Sequence, residues 1–211
     1  MDPTFRGVAE EGGHLRSPSL QEGVGRVEPA RRGRIILLNG ASSSGKSSIG
    51  RALLPLLADP WFLFPVDAVG GMRSTVGTRA LDDAEIDETL RRTRLGYHRA
   101  VAALASVGND VIMDYPLSEH WRLDDLLEVL SGYDVTLVEV RCEPDELERR
   151  ERARGDRPSG LARSQAQVYG LGEHDIAVDT TSSTAAACAR TIAEQFATIP
   201  SPKAFDRLRA I

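Results

Sequence analysis

The run Gly40-Ala41-Ser42-Ser43-Ser44-Gly45-Lys46-Ser47 stands directly after the apolar stretch Ile35-Ile36-Leu37-Leu38. The spacing G-x-x-x-x-G-K-[ST] lets a glycine-permitted backbone curl until successive N–H groups point inward at phosphate oxygens. The lysine then reaches the outer phosphates and the hydroxyl that follows can ligate magnesium. Such a loop joins a strand to a helix, whose N-terminus adds favourable electrostatics for an anion. The flanks agree. A β-branched and leucine-rich run comes first, and Ile49, Leu53, Leu56 and Leu57 recur at helical spacing over residues 48–58. A serine- and glycine-rich turn of an ordinary α/β domain is the weaker alternative, because it does not require those flanks. Gly40, Ala41, Ser42, Ser43, Ser44, Gly45, Lys46, Ser47 and Ser48 are therefore the candidate nucleotide contacts, with ATP and Mg²⁺ the expected ligands.

Further along the chain, residues 61–66 read as a short apolar strand ending at Asp67, followed by a flexible stretch over 68–80. A long helix over 82–106 carries Ile86, Leu90, Tyr97, Val101 and Leu104 on one face, and Gly108 closes it. Residues 111–113 form a buried strand ending at Asp114. A helix over 118–130 with Ser118 as its cap, a strand over 135–140 and a proline-opened helix over 144–154 come next. A charged loop, a helix over 161–169, a strand over 176–179 and a last helix over 183–197 complete the pattern. Five strands alternating with helices imply an α/β, three-layer architecture: a parallel sheet covered on both faces. Ligands of such sheets bind beyond the C-terminal ends of the strands, where the loop at Gly40, Asp67 and Asp114 all fall.

Composition narrows the partners. The 211 residues are 41% hydrophobic and 27% charged, as in one globular domain, and the net charge of -5 argues against a dedicated nucleic-acid binder. No apolar run is long enough to cross a bilayer and the N-terminus lacks a secretory segment, so a cytoplasmic location is expected. Cys142 and Cys188 lie far apart and read as buried thiols, and the four histidines form no metal-binding pair. Residues 1–33 show no hydrophobic period, and their acidic and basic side chains cancel; a disordered tail is expected there, with the domain over 34–211. These residues leave the oligomeric state open.

Phosphoryl transfer needs positioning and charge neutralisation more than covalent help. Lys46 and the loop amides would hold the phosphates, Ser47 and Asp114 the metal or its water shell, and Asp67 would accept the acceptor's hydroxyl proton. Asp67 and Asp114 have plainer readings as a turn cap and a loop carboxylate; the adjacent phosphate loop favours catalysis. Arg149, Arg150 and Arg152 read as a solvated helix face paired with Glu146, Glu148 and Glu151. Arg154 and Arg157 flank a turn in a candidate lid over 154–160, from which they would reach the transferring phosphate. Trp61, Trp121 and Tyr115 are candidates for an aromatic acceptor pocket, with core packing the default for Trp61.

Several of these segments together resemble chloramphenicol phosphotransferase and related small P-loop kinases. The match rests on Ile36-Leu37-Leu38-Asn39-Gly40 leading into the loop, on Pro60-Trp61, Val66-Asp67 and Val140-Arg141-Cys142, and on Ala153-Arg154-Gly155-Asp156-Arg157. Gln165, Val168-Tyr169 and Val178-Asp179-Thr180-Thr181 extend it. The resemblance implies a fold similar to shikimate and adenylate kinases, ATP and magnesium as cosubstrates, and phosphorylation of a small-molecule hydroxyl, in the named enzyme the 3-hydroxyl of an antibiotic. By the same resemblance Asp67 matches the catalytic base, Lys46 and Ser47 the nucleotide loop, and Arg157 the lid. Residues 68–92 differ from that pattern, and Tyr115 stands where a second acidic residue is expected. A metabolite kinase for a sugar, a shikimate-like acid or a nucleotide is the alternative, with Arg73 and Arg79 binding an anionic acceptor. A nucleotide-dependent switch is a third reading; Asp67-Ala68-Val69-Gly70 spells D-x-x-G, but no N-K-x-D guanine-reading motif accompanies it.

Overall fold

The computed structural model describes residues 31–154, 160 and 165–210. Its five strands are β1 (Ile35–Asn39), β2 (Trp61–Pro65), β3 (Asp110–Asp114), β4 (Val135–Arg141) and β5 (Ile176–Asp179). They form one parallel sheet in the order β2-β3-β1-β4-β5. The helices are α1 (Lys46–Leu53), α2 (Val66–Gly71), α3 (Thr75–Arg79), α4 (Asp83–Ser106), α5 (His120–Val129), α6 (Pro144–Arg154), α7 (Ala185–Phe196) and α8 (Ala204–Arg209).

Alternation along the strands divides the core in two, because successive side chains point to opposite faces of a sheet. Ile35, Leu37, Val111, Met113, Val135 and Leu137 pack against α4, α5 and α8 through Tyr97, Val101, Leu126 and Phe205. Ile36, Leu38, Ile112, Val138, Val140 and Val178 pack against α1 and α7 through Ile49, Leu53, Cys188 and Ile192. Burial on both faces makes β1 apolar at every position before Asn39. Both cysteines are buried free thiols. Among the described residues no helix is long and apolar enough to cross a membrane.

Helix ends follow local chemistry. In α4, Asp82 accepts from the Glu85 N–H while the Glu85 side chain accepts from the Asp82 N–H, which closes both ends of a capping box. The α1 helix stops at Leu53, short of the expected 58, because Pro55 has no N–H to offer the Arg51 carbonyl. A 3₁₀ turn, Leu54–Leu56, takes over. Residues 68–80 are not irregular throughout: α2 begins at Val66, and α3 is capped by Ser74, whose hydroxyl accepts from the Gly77 N–H. Helix α5 begins at His120 rather than at Ser118, and the Ser118 carbonyl accepts from Gln167. Of the helix expected over 161–169, residues 161–164 lie outside the described residues and Ala166–Tyr169 is a 3₁₀ turn. The α8 helix was not expected from the sequence; it is short, but Phe205 and Leu208, three residues apart, dock on the core.

Residues 1–30 of the expected tail lie outside the described residues, and the chain joins the domain by Arg31. The Arg31 guanidinium donates to both oxygens of Asp110, at 2.9 and 3.0 Å, and Arg34 adds its backbone N–H at 2.7 Å and its side chain at 2.6 Å. Burial alone would raise the Asp110 carboxyl, but the hydrogen bonds from Arg31 and then Arg34 outweigh it and hold the group well below the usual carboxylate range. A carboxylate favoured by folding stabilises the protein fully above its unfolded pKa of about 4, and that contribution disappears as the pH falls through the lower folded value. Asp110→Asn is expected to cost about 2 kcal/mol at neutral pH. Urea unfolding from pH 7 downward should show the gap between wild type and variant closing in acid.

Candidate active site

Register places three strand ends in one row: Leu38 of β1 pairs with Asp114 of β3, which pairs in turn with Pro65 of β2. Neighbouring strands lie about 4.8 Å apart. The loop after β1, Asp114 at the end of β3 and Asp67 in the first turn of α2 therefore stand side by side, with Asp114 in the middle. They line one cavity of about 990 Å³. Asp67 is two residues beyond the end of β2, inside a helix rather than on the strand, because β2 gives way at Pro65 to helical backbone.

The loop has the shape its glycines require. Gly45 has φ 95°, and a Cβ on Gly40 would sit 2.5 Å from the Val140 carbonyl oxygen and 2.8 Å from Ser44 Oγ. Ser43 also takes a left-handed φ of 62°. Helix α1 starts with no side-chain cap and no acidic residue in its first turn, so its leading amides are left for an anion. The hydroxyls of Ser43 and Ser44 are buried without a hydrogen-bond partner. These unfilled donors, on a backbone too close-packed for a Cβ at Gly40, fit a nucleotide's phosphates. Lys46, buried beneath the loop, donates from Nζ to the carbonyls of Gly40 and Ala41, both at 2.8 Å. Ser47 Oγ donates to Asp114 Oδ2, so one hydroxyl and one carboxylate converge where a hard cation would take oxygen ligands. Among the described residues no group of three or more His, Cys, Asp or Glu forms a metal cage. A magnesium ion here would keep most of its ligands as water and phosphate oxygens.

Polar ties fix the loop from below. Asn39 donates to the Val168 carbonyl at 2.7 Å and accepts from the Leu117 N–H at 2.9 Å. Gln165 Oε1 accepts from the Ser42 N–H at 2.7 Å. The Thr180 hydroxyl donates to the Ser44 carbonyl at 2.8 Å and accepts from Arg150 at 3.1 Å.

Arg150 corrects a sequence-level expectation. It pairs with Glu146 as a solvated helix face would, and so does Arg149, but both also line the cavity, and Arg150 reaches the Thr180 carbonyl at 2.6 Å. The hydrogen bonds from Arg149 and then Arg150 bring the Glu146 carboxyl down to about 2. Only Arg152, paired with Glu148 at 3.7 Å, keeps the plain surface role. Arg154 ends α6, while Arg157 and most of the candidate lid lie outside the described residues.

The aromatic residues also sort differently from the expectation. Tyr115 is fully buried and stacks on Tyr97, centroids 5.3 Å apart, instead of lining the cavity. Trp61 meets Phe196 edge-on in the opposite layer. Trp121 lies under the guanidiniums of Arg91 and Arg122. His98 is buried against Asp125, with Nδ1 2.5 Å from the carboxylate, a structural pair. Arg79 is exposed at the end of α3, away from the cavity lining. Arg94 and Arg122, which the sequence did not single out, do line it.

Residues 33–197 match the family model of chloramphenicol phosphotransferase-like proteins. A curated relative in Mycobacterium tuberculosis, named "putative O-phosphotransferase", is 32% identical over 198 residues, which cover 84% of this chain and 88% of the relative. Among solved structures, the APS kinase of Mycobacterium tuberculosis in complex with AMPPNP and APS superposes with a TM-score of 0.58 at 16% identity, over 80% of this chain and 99% of that one. A gluconokinase from Sinorhizobium meliloti gives 0.56 at 22% identity, over 79% and 93%. These neighbours share the P-loop kinase fold with this chain.

Proposed function

The chain belongs to the chloramphenicol phosphotransferase-like family and is a phosphotransferase; on that premise we propose that it moves the γ-phosphate of ATP to the hydroxyl of a small molecule held against Asp67. The observation that carries this reading is the row of strand ends, which sets the phosphate loop, the Ser47–Asp114 pair and Asp67 in sequence along one cavity wall.

Bound Mg·ATP would supply the phosphoryl group and neutralise part of its charge. The loop amides and Lys46 hold the phosphates, with Lys46 exchanging its loop carbonyls for phosphate oxygens. Ser47 and Asp114 hold the metal through oxygen. Asp67 takes the hydroxyl proton at a carboxylate oxygen and aligns the attacking oxygen. Arg150, at the far end of the cavity, supports the phosphate loop through Thr180. The working domain is the P-loop kinase unit that begins near residue 34, with Arg154 and Arg157 of the candidate lid over 154–160 assigned to the phosphates, and it acts in the cytoplasm, where ATP is supplied.

Two acceptor classes fit this reaction. One is an antibiotic alcohol of the chloramphenicol type, suggested by the family. The other is a charged metabolite, and a specific observation favours it: the guanidiniums of Arg73, Arg94 and Arg122 line the cavity together with Asp67. Transfer of a radiolabelled γ-phosphate to chloramphenicol, set beside sugars, sugar acids and nucleoside monophosphates, tests the function. Label in one acceptor class is the expected outcome. ATP hydrolysis that no added alcohol alters would instead support the switch.

A further inference from the structure

Three arginines reach the acceptor end of the cavity from three different elements: Arg73 follows α2, Arg94 is on α4 and Arg122 is on α5. Helix α2 packs on β2 and α4 on β3, the side of the sheet that leads to Asp67, and α5 packs on α4. Arg150 and the loop between β5 and α7 lie at the other, nucleotide-side end.

Arg122 is fixed. It is 4% exposed, donates to the Pro116 carbonyl at 3.0 Å and to Glu119, and lies over the faces of Tyr115 and Trp121 at 5.7 Å. Its Nε is nonetheless buried with no hydrogen-bond partner. Arg73 also has a buried, unpartnered Nε, and its guanidinium lies beside Gly70, where an added Cβ would meet Nη2 at 3.4 Å. The Arg94 guanidinium makes no hydrogen bond or ion pair among the described residues. Burial first, then the nearby charges of Arg122 and Arg73, pull its pKa below the ordinary value. On this side, Glu119 is committed to Arg122 and Trp121, and the acidic groups lining the cavity are Asp67 and Asp114, the latter accepting from Ser47. Half-buried cations that repel one another cost folding energy, and an oxyanion supplied from outside would remove that cost.

On the reading that Asp67 receives a hydroxyl, we propose that the acceptor also carries a carboxylate or phosphate group, bound by Arg73 and Arg94 and buttressed by Arg122. The planar guanidinium fork suits either oxyanion, because each offers two oxygens to parallel N–H donors. A neutral alcohol would bring no anion to Arg94 and Arg73, whereas Arg122 already has Glu119. The substrate class is thus a hydroxy acid or a phosphorylated polyol or nucleoside.

Matched pairs that differ by one oxyanion test this: glucose against gluconate, and uridine against uridine monophosphate, with chloramphenicol as a neutral alcohol. The charged member should show a kcat/KM about 100-fold higher, and Arg73→Ala or Arg94→Ala should remove about 10- to 100-fold of that preference, with partial rescue by Arg94→Lys. The gluconate and nucleotide arms separate carboxylate from phosphate recognition. Independently of turnover, the protein saturated with Mg·AMP-PNP is titrated with inorganic phosphate and with gluconate at constant ionic strength, read by calorimetry. Wild type should bind at least one, and the Arg73→Ala/Arg94→Ala double variant should bind neither, while its unliganded melting curve reports that it folds. Preferred turnover of chloramphenicol or another neutral alcohol would overturn the anion subsite and leave the kinase reading standing. Loss of phosphate only to water would overturn the kinase reading, with the titration still deciding the subsite. No anion binding by wild type, or equal binding by the double variant, overturns the proposal.

Discussion

Asp67→Asn is expected to lower kcat by about 1,000-fold while AMP-PNP binding stays within about twofold of wild type, since general-base assistance contributes roughly 10²- to 10⁴-fold and the amide keeps the shape but accepts no proton. The expectation depends on where the side chain sits. It lines the cavity from the first turn of α2, separated from the phosphate loop by the strand that carries Asp114. On the proposed reading a group so placed touches the acceptor, and the loss should appear in kcat and kcat/KM alike. Single-turnover transfer and equilibrium nucleotide binding, measured on one preparation, separate the roles. Matched losses in rate and nucleotide affinity would move Asp67 into the nucleotide site.

Lys46→Ala should be as severe for a different reason. In the structure the ammonium is buried and shared between the carbonyls of Gly40 and Ala41, so its charge is already oriented when phosphate arrives. Removing one preorganised donor of this kind lowers rates by about 10²- to 10³-fold. Here the loop also loses the cation that joins its two carbonyls, so nucleotide affinity should fall with the rate, in contrast to Asp67→Asn. Lys46→Arg restores charge without the compact ammonium and should recover little, because the fork does not fit between two adjacent carbonyls. Retention of more than a tenth of wild-type activity in Lys46→Ala would remove the lysine from the phosphate contacts.

The residues of the glycine-rich loop were the easiest to read from the amino-acid sequence, because their chemistry is local. A glycine pair at fixed spacing, a lysine and a hydroxyl define the loop, and the apolar runs that lead to Asp67 and Asp114 bring both carboxylates to one edge. The sheet was legible for a similar reason: strands buried on both faces are continuous apolar runs, such as Ile35 to Leu38. What was missed depends on packing between distant segments. Arg94 follows Arg91 and Arg92 in a charged helix that also exposes both of those neighbours; only the docking of α4 against α5 turns Arg94 toward the cavity. Arg122 lies on an amphipathic helix with nothing nearby to mark it. Arg150 was read correctly as a partner of Glu146, yet its second role needs Thr180, thirty residues on. Helices α2 and α3 escaped notice because they bury no residue, so no apolar period announces them.

That last property has an evolutionary reach. The donor half of the site rests on central strands whose side chains are locked into both cores, and substitutions there endanger the whole molecule. Part of the proposed acceptor wall, Asp67 and Arg73, rises beside a border strand and small helices that contribute nothing fully enclosed to either core, so the positions around them in 66–80 can drift at slight cost to folding. Descendants of one ancestral enzyme can thereby acquire new alcohols while the machinery that activates ATP is inherited unaltered.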